Sequence, residues 1–110
     1  MDEEPLHMLF HVKHVHTHET CPAGNPELTQ KTFGTIAMPD HARKTGVKLL
    51  ASYADAPSHT VYFIVEADHI EKVGSFLLPL LKLGSADITP VTDLGEEVKK
   101  KLKEAKKIGK

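Results

Sequence analysis

The sequence feature that most constrains the fold is the strict alternation of residue types over residues 6–16. Four apolar side chains are followed at the same parity by two histidines: Leu6, Met8, Phe10, Val12, His14 and His16. A β-strand places alternate side chains on one face, so this segment predicts a strand whose buried face ends in imidazoles. His18 lies beyond the predicted strand end and is expected to be exposed. Cys21, the only cysteine, follows in a loop rich in turn-forming residues.

The length of the chain, its apolar runs and its cysteine content limit the classes of protein to which it can belong. A chain of 110 residues can bury one hydrophobic core. Its apolar runs fall short of the roughly 20 residues that span a bilayer, so we expect no membrane association. The acidic opening lacks the features of a secretory signal, and one cysteine cannot form an internal disulfide, so we expect a cytoplasmic protein.

The charge is unevenly distributed along the chain. Residues 96–110 carry seven lysines and three glutamates, a net +4, so the remainder carries −5 of the total −1. An acidic body with few aromatic side chains argues against a nucleic-acid binder. We expect the lysine-rich segment to form a solvent-exposed helix face.

Turn and cap residues divide the chain into six elements. Asn25-Pro26-Glu27 is typical of a helix start, and Asp68 with Glu71 forms a capping-box pattern. The sequence predicts a first strand over 6–16, a helix from Pro26 interrupted near 38–40 and ended by Gly46, strands over 47–54 and 59–66, a helix over 68–82 and a strand over 86–91.

This β-α-β-β-α-β order is the ferredoxin-like pattern, an α+β fold. We expect an all-antiparallel four-stranded sheet of order 4-1-3-2 with both helices on one side. Residues 1–93 form this domain, and residues 94–110 form a C-terminal lysine-rich helix or tail.

The sheet face turned away from the helices has a mixed composition. In the second strand we place Val47, Leu49, Ala51 and Tyr53 toward the helices. The opposite face then carries His7, Leu9, His11, Lys13, Lys48, Leu50, Ser52, Tyr62, Ile64 and Glu66. Such a face is too apolar for open solvent and too polar for a core. We therefore predict a homodimer that packs sheet to sheet, with His7 and His11 near its interface.

Strand pairing predicts where the histidines meet. Strands 1 and 3 are antiparallel neighbours in this topology, so the end of one lies beside the start of the other. His14 and His16 continue the helix-facing side of strand 1, and His59 is expected to open the same side of strand 3. Three imidazoles should converge there, with Cys21 in the following loop. Three histidines, with or without the cysteine, are a plausible ligand set for Zn, Ni, Cu or Fe, and without Cys21 an open coordination position remains.

Four segments resemble the dimeric α+β barrel superfamily, which includes muconolactone isomerase and the antibiotic-biosynthesis monooxygenases. They are His14-Val15-His16, Glu19-Thr20-Cys21-Pro22, Ser58-His59-Thr60 and Asp87-Ile88-Thr89-Pro90-Val91. The resemblance spans residues 6–93 and is closest to small stand-alone members. It implies a dimeric barrel and a site in the cleft between sheet and helices, and a nickel-binding relative of similar fold gives metal binding a precedent. It carries little information about activity, since these barrels host many functions.

The residues leave three functions open. The leading hypothesis is a small transition-metal-binding protein, acting as a metalloenzyme on a small molecule or binding the metal as such. The second is a metal-free monooxygenase- or isomerase-like enzyme in which a cleft histidine acts as general base. The third is a non-catalytic ligand-binding module. Three roles remain possible for Cys21: metal ligand, nucleophile or inert thiol.

Overall fold

The structure, a computed structural model, describes residues 7–107. Leu6, the predicted start of the first strand, and residues 108–110 of the predicted tail lie outside this range. The elements are β1 (Met8–His16), α1 (Pro26–Thr29), a π-helical turn (Gln30–Gly34), α2 (Thr35–Ala37), α3 (Pro39–Thr45), β2 (Lys48–Asp55), β3 (Thr60–Ala67), α4 (Ile70–Leu81), β4 (Gly84–Val91) and α5 (Leu94–Lys107). Short 3-10 turns at Pro22–Gly24 and Ala56–Ser58 precede α1 and β3.

The four strands form one antiparallel sheet of order β2-β3-β1-β4. This is the predicted order 4-1-3-2 listed from the other edge, so the α+β class and the sheet order are confirmed. Pro90 lies in the edge strand β4, where proline is tolerated because one side of the strand needs no donor. Across the part of the chain that the structure describes, every helix is too short or too polar to cross a bilayer.

The hydrophobic core lies between one sheet face and the helices. The predicted alternation holds in β1 from Phe10 onward, where Phe10 and Val12 are buried while Lys13 is exposed, but Met8, predicted on the same buried face, is 40% exposed. The core side chains that come from the strands are Phe10, Val12, Phe63, Val65 and Ala67, and those that come from the helices are Ile36, Val73, Phe76, Leu77 and Leu80. The even-numbered side of β1 therefore leads directly from this core to His14 and His16.

Local residues explain several of the helix boundaries. The Asn25 side chain accepts a hydrogen bond from the Leu28 amide at 3.0 Å, as predicted for an N-cap. Extended Met38 separates α2 from α3, and Gly46 ends α3 in the left-handed conformation at φ 78°. The capping box at Asp68 is wrong: the helix begins at Ile70, and the Asp68 carboxylate pairs with Lys72 at 2.8 Å.

A β-bulge in β2 changes which side chains face the helices. Leu49 pairs with Val65, but the next pair joins Ala51 to Ile64, so Leu50 is an extra residue in the strand. Beyond the bulge, Tyr53 pairs with Tyr62 on the face away from the helices. The prediction that Ala51 and Tyr53 share the helix-facing side with Leu49 is therefore wrong.

Candidate metal centre

Three potential ligands from different segments converge at the end of β1. Donor atoms of His16, Cys21 and His59 all lie within 4.8 Å of one another. Donors bound to one zinc ion at bonds of about 2.0–2.3 Å are separated by roughly 3.3–3.8 Å in tetrahedral geometry. Side-chain adjustments of about an ångström would therefore place the three on one ion, so this group could hold a transition metal.

His16 is held at the end of β1 by strands on both sides. Its backbone amide donates a 3.1 Å hydrogen bond to the His59 carbonyl, and it pairs with Gly84 of β4. A Cβ atom at Gly84 would lie 2.0 Å from the Val15 carbonyl oxygen, so only glycine permits this approach. The His16 side chain is 7% exposed, and its Nδ1 atom is buried without a hydrogen-bond partner among residues 7–107.

His59 reaches the site by a different route from the predicted one. It was expected to open the third strand, but β3 begins at Thr60 and His59 follows the Ala56–Ser58 turn with φ 51° and ψ 42°. This left-handed conformation is unusual for a residue with a Cβ atom. The imidazole nevertheless lies beside that of His16, with ring centroids 5.3 Å apart. The predicted meeting of these two rings is therefore observed, although strand parity is not its cause.

His14, the third predicted imidazole ligand, lies one strand position deeper. It is completely buried, its ring centroid is 5.5 Å from that of His16, and its Nε2 is 3.0 Å from the Leu80 carbonyl oxygen. A carbonyl only accepts, so Nε2 carries the hydrogen and Nδ1 has a free lone pair. Nδ1 is buried without a partner in the described range. His14 does not belong to the convergent group of three, and its role as a ligand stays a prediction.

The local electrostatics favour neutral imidazoles. Burial lowers the pKa of His14, although its hydrogen bond to Leu80 acts in the opposite direction. Burial also lowers the pKa of His16, and repulsion from His14 and His59 lowers it further. Neutral imidazole is the form that binds metal ions, so the site favours the protonation state that ligation requires.

Sequence reasoning missed two neighbours of these ligands. The π-helical turn places the Phe33 ring with its centroid 6.0 Å from that of His14 and 5.8 Å from that of His16. The exposed His18 ring lies 5.8 Å from the His59 ring. A π-turn leaves no simple periodic signal, but Thr17 and Thr20, flanking His18 at a three-residue spacing, are typical of a side-chain-supported turn.

The convergent group lines a cavity of about 510 Å³ between the sheet and the first helical region. All three potential ligands contribute to its wall, and most of the remaining wall is apolar. Its other members include Phe33, Ile36, Ala37, Leu49, Val61 and Phe63. The volume falls within the range of small-molecule sites, and an apolar wall with few polar groups is their usual composition.

Comparison with known proteins identifies the family. Searches of curated proteins and of solved structures gave no match. The profile described as "Domain of unknown function (DUF3303)" matches residues 8–106, which include the three convergent ligands and every strand of the sheet. Because this match covers nearly the whole chain, the protein belongs to the DUF3303 family.

Proposed function

We propose that the protein binds one divalent transition metal per subunit through His16, Cys21 and His59 and acts as a metalloenzyme on a small molecule. The observation that carries the proposal is the convergence of two imidazoles and a thiol on the wall of one apolar cavity. Three protein ligands leave a coordination position for water or substrate, which is the arrangement of catalytic sites. The bound ion would supply Lewis-acid activation, while the cavity would orient the substrate and exclude water.

The wider ligand set includes His14. Its buried Nδ1 lone pair lacks a partner in the described residues, as does Nδ1 of His16, and buried polar atoms of this kind call for a ligand or a water molecule. Imidazole and thiolate together suit Zn, Ni, Cu or Fe. Thiolate ligation would also displace the Cys21 proton.

Metal analysis of untagged protein tests the proposal. Reconstituted protein should contain close to one equivalent of metal, and His16→Ala or His59→Ala should lose most of it. His69→Ala is the matched control, because His69 is an exposed histidine at the start of α4. Metal content that stays near zero, or that is equal in all variants, contradicts the proposal. His14→Ala separates the two ligand sets, since it reduces the metal content only if His14 ligates.

One observation favours a second candidate, a metal-free enzyme. The lowered pKa of His16 leaves a neutral imidazole on the cavity wall near pH 7, where it can accept a proton from a bound substrate. An organic ligand bound in the cavity of metal-free, active protein would support this candidate. A non-catalytic ligand-binding module fits the same cavity, and the absence of turnover with a bound ligand would identify it.

We also propose a ferredoxin-like dimeric barrel in which two copies pack sheet to sheet. On the face away from the helices, Val15, Tyr53 and Val91 are 39, 70 and 37% exposed, so this face keeps accessible apolar surface for a partner copy. Ile64 lies near the middle of this face. Ile64→Glu should convert a dimer to a monomer in light scattering, whereas Ser75→Glu, at an exposed position of α4, should not. A monomeric parent protein contradicts this proposal.

A further inference from the structure

Four imidazoles lie in a spatial row from solvent to the interior. The exposed His18 ring is 5.8 Å from that of half-buried His59, which is 5.3 Å from that of buried His16. His14, completely buried, follows at 5.5 Å from His16. Burial thus increases at each step. His18 lies at the outer end of this row and outside the convergent group, so the proposed metal site gives it no role.

The turn that carries His18 is supported by its own side chains. The Thr17 amide donates to the Thr20 hydroxyl at 2.9 Å, and the Thr20 amide donates to the Thr17 hydroxyl at 3.2 Å. The two hydroxyl groups also lie 3.0 Å apart. This reciprocal pairing constrains the loop between β1 and Cys21 and presents His18 beside His59. The proximity of the two rings is therefore a property of a structured turn.

A metal ion must exchange its water shell for protein ligands to reach this site. His16 is only 7% exposed, whereas His59 is half-buried and His18 is exposed, so an ion that arrives along this row meets the outer imidazoles first. His18 and His59 together offer an exposed and a half-buried imidazole at the outer end of the row. Two neighbouring imidazoles raise the local concentration of ligand for an ion that has shed only part of its water.

We infer that His18 is a transient ligand through which a divalent transition metal enters and leaves the His16–Cys21–His59 site. This inference rests on the proposed metal site. The ion first exchanges waters for His18 and His59, keeps His59, and then exchanges His18 for His16 and Cys21. The step is ligand substitution without a change of oxidation state, and the Cys21 thiol proton passes to solvent when the sulfur binds.

A transient ligand changes rates without changing affinity. In stopped-flow measurements with Zn²⁺ and a chromophoric chelator, His18→Ala should slow both metal uptake and metal release by the same factor, roughly tenfold. The dissociation constant should stay within about twofold of the parent value. Thr20→Val should slow both rates in the same direction, because it removes the hydrogen bonds that the Thr20 hydroxyl makes to the Thr17 amide and hydroxyl in the turn that carries His18. His69→Ala serves as the control and should match the parent rates.

The outcomes separate the two proposals. A parent protein that takes up no Zn²⁺ overturns the metal site and this inference together. A parent protein that binds Zn²⁺, with His18→Ala at unchanged rates, overturns only the role of His18. A large loss of affinity in His18→Ala with unchanged uptake makes His18 a permanent ligand and also overturns the inference. Circular dichroism of the His18→Ala, Thr20→Val and His69→Ala variants checks that each one folds.

Discussion

Two substitutions of His59 separate the energetic cost of its left-handed backbone conformation from the contribution of its imidazole to metal binding. His59 has φ 51°, and the conformation is fixed by two hydrogen bonds: its amide donates to Ala56 at 3.0 Å, and its carbonyl accepts from His16 at 3.1 Å. An L-residue with a Cβ atom in this region loses roughly 1–2 kcal/mol relative to its preferred conformations. Such strain persists only where surrounding contacts enforce it, and it often accompanies function.

The prediction is that metal-free His59→Gly is more stable than metal-free His59→Ala by about 1 kcal/mol. Glycine removes the left-handed penalty, but its more flexible unfolded chain offsets roughly 0.5–1 kcal/mol of that gain. Both variants lose the same imidazole contacts, so their difference reports the backbone alone. For a domain of this size the melting temperatures should differ by roughly 4 °C.

Thermal denaturation with a chelator measures this difference, and a second set with Zn²⁺ measures the side chain. The parent protein at a free metal concentration 100 times its dissociation constant should gain about 2.7 kcal/mol. Neither His59 variant should show that gain. Equal stability of the two variants without metal would refute the backbone argument, and a metal-induced gain in either variant would refute the ligand role of His59.

Three further predictions concern the frame of the site. Gly84→Ala should destabilise the fold by at least about 2 kcal/mol in urea titrations, because strands β1 and β4 must separate to admit a Cβ atom; Gly74→Ala, whose Cβ would meet nothing within 4 Å inside α4, should be neutral or stabilising. The pKa values of His14 and His16 are lowered in the folded protein, so the unfolded chain binds more protons in acid. The metal-free protein should therefore have its full free energy of unfolding above about pH 6.5 and lose part of it as the pH falls through the folded-state pKa values of these two histidines. A variant with both His14→Gln and His16→Gln should show a weaker dependence of stability on pH. Truncation after Asp93 should change the melting temperature by only about 2 °C, because Leu94, Val98 and Leu102 of α5 are 76, 48 and 64% exposed; a larger loss would show that α5 supports the domain.

Local sequence signals correctly predicted the helix boundaries and strand faces that depend on a single nearby interaction. The Asn25 cap, the break at Met38 and the left-handed Gly46 each depend on residues within one helical turn. The alternation in β1 is equally local, since a buried face forces period two. The order of elements then leaves few ways to pair four antiparallel strands, which explains why the sheet order was predictable.

The errors arose where a second contact overrides a local rule. Leu50 continues the alternating pattern of β2, but the bulge places it opposite no residue of β3 and reverses the parity that follows. The Asp68 carboxylate is within reach of Lys72 one turn later, and this pair replaces the predicted cap. The bulge depends on pairing across the sheet, which the pattern of one strand does not specify, whereas the Asp68–Lys72 pair is local and competes with the predicted cap.

The sequence predicted which residues form the candidate site better than it predicted how they are arranged. Histidine parity placed His16 correctly because β1 is regular, whereas His59 reached the same place through a left-handed turn that no strand pattern anticipates. His14 follows the same parity but is one step deeper, where the Leu80 carbonyl occupies its Nε2. A pattern of period two identifies the face of a strand but does not specify how deep in the core a side chain lies.

The two halves of the candidate site are held in place by different interactions, and this difference bears on the proposed metal chemistry. His16 is fixed on one side by the hydrogen bond to the His59 carbonyl and on the other by the close approach of Gly84. Cys21 instead enters from the loop that also carries His18, and that loop is supported mainly by the hydroxyl pairing of its own threonines. Because His16 lies in the sheet and Cys21 in a loop, we expect the proposed metal ion to bind the imidazoles first and the thiol last. The same difference would let the thiol adjust when a substrate takes the open position of the proposed site, so one asymmetry would serve both metal loading and turnover.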